Sequence, residues 1–220
     1  LLVTCPAEAW TPVTLTTEDG VQLAATVWEP PGRPMAGIVL VHGPSRTRHD
    51  WGRLAEQLAM RGFVALAVDL RGHGESSGVE AGGDLVSMVR DVTAAARYLL
   101  ERPGGPSGLG LVGASLGGTL GVLAAQAVPA LRSFALLSTP LDFRGLRVEE
   151  PLRKLGDRSA ILIASSEDVY AARSARALAE TGPGRRELML VEGAGHGARI
   201  LSSRPDLVPT LVDWYIRTLL

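Results

Sequence analysis

The segment Gly110-Leu111-Val112-Gly113-Ala114-Ser115-Leu116-Gly117-Gly118-Thr119-Leu120-Gly121 passes from a short apolar run through an abrupt turn into a stretch of small residues and leucine. Gly110–Gly113 reads as a strand, and a small-residue helix is expected from about Leu116 to Ala127. A chain that reverses from strand to helix this quickly has no room for side chains at the flanking positions. Gly113 and Gly117 fit that steric need, and they place Ser115 at the centre of a Gly-x-Ser-x-Gly pattern. Such a turn lifts the serine above the sheet edge, and the following helix aims its unpaired N–H groups and its dipole at the same spot. The pattern alone also fits an ordinary glycine turn. The strand–turn–helix context favours Ser115 as a candidate nucleophile.

Working outward, apolar runs alternate with helical spacing on both sides. Val13–Thr17 and Val21–Trp28 flank the turn signal Glu18-Asp19-Gly20 and read as a hairpin. Gly37–Val41 and Phe63–Val68 are continuous apolar runs, expected of strands buried on both faces. Between them Asp50–Arg61 has helical spacing, with Trp51, Leu54, Leu58 and Met60 expected inward and Gly62 as the stop. Asp84–Arg102 is expected as a helix, Phe134–Leu137 and Ala160–Ala164 as strands, and Ala171–Glu180 as a helix. Leu188–Val191 reads as the last strand and Leu207–Leu219 as the last helix. The expectation is an α/β fold: a mostly parallel sheet of about eight strands with helices on both faces and an N-terminal hairpin. Residues 13–220 read as a single domain and 1–12 as a tail. Only Thr139–Ser159 has no place in the rhythm. It has room for one short helix over Glu149–Leu155 and not for a sizeable cap.

Composition sets limits on the function. The 220 residues are 46% apolar and 20% charged, a globular mixture, with a formal net charge of −1. No basic excess points to nucleic acid, and no apolar run reaches the roughly 18 residues of a spanning helix. All but one of the 22 basic residues are arginine, scattered along the chain. The only cysteine, Cys5, rules out an intrachain disulfide. It ends the run Leu1-Leu2-Val3-Thr4, which resembles the tail of a bacterial lipoprotein signal. Under that reading the protein is exported and lipid-anchored. The alternative is an incidental thiol in a cytoplasmic protein. No His/Cys/Asp cluster has metal-ligand spacing, and the glycines around Ser115 lack the Lys-Ser/Thr of a phosphate loop, so no metal or organic cofactor is expected.

A serine hydroxyl needs a neighbouring base, and the base needs a carboxylate. Of the four histidines, His196 lies in Val191-Glu192-Gly193-Ala194-Gly195-His196-Gly197, a flexible loop after the last strand. His42 ends the Gly37–Val41 strand, and His73 lies in Asp69-Leu70-Arg71-Gly72-His73-Gly74-Glu75-Ser76. Either reads equally as a turn histidine satisfied by backbone groups. Asp168 follows the Ala160–Ala164 strand and is the first candidate for the carboxylate, Asp142 the rival, while Glu167 reads as solvated. Ser115, Asp168 and His196 each follow a different strand, which brings them to one sheet edge.

The set of motifs resembles the α/β-hydrolase superfamily, in particular the lidless bacterial serine esterases related to dienelactone hydrolase. Val41-His42-Gly43 is similar to the family's His-Gly turn, Asp69–Gly74 with Glu75-Ser76 to its Asp-x-Arg-Gly loop, and the order Ser115, Asp168, His196 to its triad. The likeness runs from about Val13 to Trp214. It implies Ser115 as nucleophile, His196 as base, Asp168 as its orienting acid, the Leu116 N–H as an oxyanion donor, and His42, Gly43 and Pro44 beside the substrate. The family usually takes its second oxyanion N–H from the residue after His-Gly. Here that residue is Pro44, which has none. Ser45 is the expected substitute. The implied reaction is hydrolysis of small carboxylic esters through an acyl-enzyme. A peptidase or amidase on the same triad and a non-catalytic binding module are the alternatives. Arg46, Arg48 and His49 would favour acidic substrates if they stand at the mouth, though arginine-rich surface loops are the simpler reading.

Overall fold

The computed structural model describes residues 10–78 and 84–220, so Cys5 and the expectation attached to it lie outside the described residues. The chain opens with β1 (Trp10–Thr16) and β2 (Gln22–Trp28), an antiparallel hairpin. Its turn is closed by the Val21 N–H donating to Thr17 Oγ1 at 2.9 Å, with Gly20 at φ +83°. The first strand starts at Trp10 rather than Val13, because Trp10, Thr11 and Pro12 find ladder partners in Trp28, Val27 and Thr26. Pro12 is tolerated there because β1 is an edge strand and needs no donor on its outer side.

Then follow β3 (Ala36–Val41), α1 (Gly52–Met60), β4 (Phe63–Val68), α2 (Met88–Glu101), β5 (Leu109–Ala114) and α3 (Leu116–Ala124). After β6 (Leu131–Leu137) come a two-residue hairpin, β7 (Asp142–Phe143) and β8 (Leu146–Arg147), and α4 (Glu149–Lys154). The chain ends with β9 (Ser159–Ser165), α5 (Val169–Ala179), β10 (Arg186–Val191), α6 (Arg199–Ser203) and α7 (Leu207–Leu219). The main sheet has eight strands in the order β1-β2-β4-β3-β5-β6-β9-β10. The β1–β2 and β2–β4 pairs are antiparallel and every other pair is parallel.

Beyond shifts of two or three residues at the ends of β1, α3, α5 and β10, further details differ from the sequence expectation. The helix expected from Asp84 begins at Met88. The preceding residues form a turn in which the Ser87 N–H donates to the Asp84 carboxylate at 3.2 Å. Met60 is 62% exposed, not inward. It lies two residues beyond buried Leu58, about 200° further around the helix, so it points away from the core. The segment between β6 and β9 holds the β7–β8 hairpin as well as the short helix.

The strands alternate their side chains between two cores, as the period of two requires. In β3, Val39 and Val41 join the face covered by α2, α3 and α5, while Ile38 and Leu40 join the face covered by α1 and α7. Both faces are therefore apolar, which explains the unbroken hydrophobic runs of β3 and β4. The chain leaves β3 toward β4 on one side and returns to β5 on the other. That change of direction opens a crevice at the carboxyl ends of β3 and β5.

Candidate active site

Val41 of β3 pairs with Gly113 of β5, so the residues after each strand, His42-Gly43 and Ala114-Ser115, emerge side by side. Ser115 sits at φ +51°, ψ −117°, a backbone conformation that costs a side-chain-bearing residue about 1–3 kcal/mol. Its N–H donates to the Leu137 carbonyl at 2.8 Å, and its carbonyl accepts from the Gly118 N–H at 3.0 Å. A Cβ on Gly117 would lie against the Val41 carbonyl and 2.6 Å from that of His42, and one on Gly113 2.5 Å from the Gly118 nitrogen. Backbone atoms cannot yield as side chains do. The two glycines are therefore what lets the turn press against its neighbours.

Ser115 is 5% exposed and forms part of a cleft of about 200 Å³ together with Gly43, Pro44, Arg46, His196 and Arg199. A larger hollow of about 520 Å³ lies between β1 and α2, but among the described residues no histidine or cysteine lines it. The smaller cleft, with Ser115 and His196, is the candidate site.

His196 arrives from the loop after β10. Its Nδ1 stands 2.5 Å from Asp168 Oδ2, with the histidine side chain 53% and the aspartate 25% exposed. Asp168 is also the N-cap of α5, where its Oδ1 accepts from the Ala171 N–H at 3.1 Å. One oxygen thus caps a helix and the other holds the imidazole, which directs Nε2 away from the aspartate. The loop is pinned further on by the Gly197 N–H, which donates to Ser138 Oγ at 3.0 Å. Asp142 is not brought to His196. Its carboxylate closes the β7–β8 hairpin, accepting from the Gly145 N–H at 2.6 Å and from Arg147 Nε at 3.3 Å.

The turn after β3 is held at both ends. His42 is fully buried, and burial holds its pKa below the ordinary 6.5. Its Nδ1 lies 2.7 Å from the Gly43 carbonyl. At the far end the Arg48 N–H donates to Asp69 Oδ1 at 2.6 Å, and its guanidinium pairs with Asp69 and Glu75. Arg48 is therefore a buried strut and does not stand at the mouth. Arg46 does line the cleft, its Nε donating to Asp50 Oδ2 at 2.8 Å, as does Arg199; His49 does not. His73 is a buried turn histidine, its Nδ1 3.1 Å from the Arg71 carbonyl and its ring 5.1 Å from that of His42. Between the two anchors Ser45 is exposed at φ +55° and is not among the cleft-lining residues. Leu116, the first residue of α3, has an N–H with no carbonyl one helical turn back.

Glu167 is exposed, as the sequence reading of a solvated residue expects, but that reading misses its partners. Its Oε2 accepts from Ser165 Oγ at 2.5 Å and from the Gly193 N–H at 3.0 Å, and these donors hold its pKa down to about 2. Nothing in the local sequence separates this glutamate from a solvated one, because its partner lies 26 positions away.

The sheet order, the strained serine turn and the crevice define an α/β hydrolase. Residues 32–157, more than half of the chain, match the model of the serine aminopeptidase S33 hydrolases, and the chain belongs to that family. The matched residues include Ser115 and end before Asp168 and His196. A bifunctional esterase/perhydrolase of Acinetobacter calcoaceticus is 36% identical over 104 residues, 47% of this chain and 35% of that protein. The monoglyceride lipase of Rattus norvegicus is 32% identical over 129 residues, 58% of this chain and 42% of the lipase. The match thus spans less than half the length of these curated relatives. Among solved structures, an esterase of Pyrococcus furiosus superposes with a TM-score of 0.79 at 19% identity, covering 96% of this chain and 91% of the esterase. A dienelactone hydrolase from Anabaena variabilis gives 0.81 at 17% identity, covering 96% and 98%. At these identities the likeness speaks to the fold.

Proposed function

We propose that this protein is a serine hydrolase of small carboxylic esters, with Ser115 as nucleophile, His196 as base and Asp168 as the acid that orients it, all within one hydrolase domain spanning at least residues 13–220. The observation that carries the reading is the convergence at one cleft of a serine on a strained strand-to-helix turn and a histidine paired through Nδ1 to a helix-capping aspartate. The relatives named as an esterase/perhydrolase and a monoglyceride lipase support ester bonds as the substrate class.

The chemistry follows from the groups present. Ser115 Oγ attacks the ester carbonyl while His196 Nε2 takes its proton, and Asp168 stabilises the imidazolium that forms. The negative oxygen of the tetrahedral intermediate is met by the Leu116 N–H; the Ser45 backbone N–H is the candidate second donor by its place after Pro44, although residue 45 is exposed and outside the cleft lining. Collapse breaks the bond to the alcohol, which leaves with the proton from His196. Water then enters, gives a proton to His196, and attacks the acyl carbon. The carboxylic acid departs and Ser115 recovers its proton.

A p-nitrophenyl ester series with Ser115→Ala as control tests the proposal, together with labelling by a fluorophosphonate. The wild type should turn over and label, and Ser115→Ala should do neither while remaining folded. Labelling of Ser115→Ala at the wild-type rate would remove the serine from its role, and failure of the wild type to label would favour a non-catalytic binding module.

The family's designation gives specific ground for a second reading, an aminopeptidase on the same triad. Aminoacyl p-nitroanilides separate the two. An amidase must protonate a poorer leaving group, so an esterase optimised for alcohols should show little turnover on them. Turnover comparable with that of the esters would reverse the assignment.

A further inference from the structure

The proposed acid and base stand on separate pieces of chain. Asp168 is in the turn after β9, and His196 is in the loop after β10. The two strands are in register only as far as Ser165 opposite Val191. Beyond that point the ladder gives no support. The loop that carries the base contains Gly193 at φ +62°, Gly195 at +76° and Gly197 at +61°. Glycine adopts these angles freely, and it also leaves them freely, so such a loop costs entropy to hold still. Yet His196 Nδ1 is kept within hydrogen-bond distance of Asp168 at a half-exposed site.

What bridges the two pieces is the residue directly before the acid. Glu167 Oε2 accepts from the side chain that ends β9, Ser165, and from the backbone N–H of Gly193, three residues before the base. Ser165 Oγ in turn accepts from the Ala194 N–H at 3.3 Å, and the Ser166 N–H donates to the Val191 carbonyl at 2.9 Å. Four contacts thus converge on one junction, and the carboxylate stands at its centre. No arginine or lysine is paired with Glu167 among the described residues. Its partners are one hydroxyl and one backbone donor.

We infer that Glu167 is a positioning residue for the His196–Asp168 pair, clamping the glycine loop that carries the base to the turn that carries the acid. The inference rests on the catalytic reading of Ser115, Asp168 and His196 given above. Glu167 touches neither substrate nor the reacting atoms and acts through the distance it holds. Its hydroxyl and backbone donors lower the pKa of its carboxyl to about 2, so the group is an ionised acceptor at neutral pH.

Misplacing a catalytic group by about 1 Å costs on the order of 10²-fold in rate. Glu167→Ala should therefore lower kcat by about 10²-fold while KM stays within about a factor of two, because ground-state contacts are untouched. Glu167→Gln keeps a carbonyl oxygen for the Gly193 N–H and should recover most of the lost kcat. A second readout reports the pair itself. The Nδ1 proton of His196 should give a far-downfield ¹H NMR line, assigned by its loss in Asp168→Asn. The line should broaden or vanish in Glu167→Ala and persist in Ser115→Ala.

The outcomes separate the clamp from the reading it rests on. If Ser115→Ala still hydrolyses esters, the catalytic reading fails whatever Glu167 does. If Ser115→Ala is inactive but Glu167→Ala keeps the wild-type kcat and the downfield line, the clamp is overturned and the triad stands. If Glu167→Ala cannot be isolated folded, Glu167→Asp keeps the charge but shortens the side chain by one methylene and withdraws the acceptor from the Gly193 N–H. A wild-type kcat and an unchanged line in Glu167→Asp would then overturn the clamp.

Discussion

The backbone N–H of Leu70 donates to Nε2 of His42 at 3.0 Å. That bond requires a lone pair on Nε2, so the proton of the ring is on Nδ1, where it donates to the Gly43 carbonyl at 2.7 Å. The neutral imidazole is thus a strut between the loop after β4 and the turn beside Ser115.

A dependence of stability on pH follows. Burial is the main cause holding the His42 pKa below 6.5, the hydrogen bond to the Gly43 carbonyl opposes it, the nearby charge of His73 adds to it, and Asp69 and Asp50 oppose it. The unfolded chain titrates this residue near 6.5, so between the folded value and 6.5 the unfolded state binds more protons. Stability therefore rises with pH across that window and is lost as the solution is acidified through it, by up to about 1.4 kcal/mol per pH unit for one group. Denaturant midpoints at a series of pH values from about 7.5 to 5.5 should fall less steeply for His42→Gln than for the wild type. Parallel slopes would show that His42 is not the group responsible.

The acid assignment is tested by two asparagines. Asp168→Asn keeps the shape but presents an amide that no longer enforces the Nδ1–H tautomer of His196. A loss of that kind costs about 10⁴-fold in kcat. Asp142 is occupied in its hairpin with Gly145 and Arg147, and Asp142→Asn should keep kcat within a few-fold. Steady-state kinetics on one ester decides the matter. A crippled Asp142→Asn beside a nearly normal Asp168→Asn would reverse the roles.

Chain-length preference follows from the cleft. It measures about 200 Å³, and the segment between β6 and β9 offers only two-residue strands and the six-residue α4 as cover. Among the described residues, no long apolar tunnel lines the site. Turnover should favour acyl chains of roughly two to six carbons, the size such a pocket accommodates, without activation at a lipid interface. Rates that climb for long chains and jump above the micelle concentration would contradict this.

What could be read from the sequence follows from where the determining forces act. β3 and β4 were legible because burial on both faces writes an unbroken apolar run, and the turn at Ser115 because its sterics demand Gly113 and Gly117 locally. The β7–β8 hairpin was not legible, since two-residue strands carry no period. Met60 matched the apolar composition of its helix but not the angle. Arg48 reads as a surface arginine until Asp69, 21 positions on, reaches it. Glu167 is the same case, because its meaning lies in Gly193 and Ser165 and only the folded chain supplies both.

The second oxyanion donor can be tested by giving the turn back what Pro44 removed. Proline at this position has no N–H, and losing a donor outright costs about 10²–10³-fold in kcat. If the Ser45 backbone N–H has taken over, Pro44→Ala adds a redundant donor and kcat should change by no more than about threefold. Ser45→Ala and Ser45→Gly both keep the N–H and should remain active, the glycine variant more comfortably, because residue 45 sits at φ +55°. That angle also rules out the obvious control. Proline is fixed near φ −65°, so Ser45→Pro would break the turn and the loss of rate would carry no information about the donor. Pro44→Ala escapes the difficulty, since alanine adopts any backbone conformation that proline does. A tenfold or larger rise in its kcat would show that the wild-type hole has a single donor, Leu116, and that Ser45 supplies none.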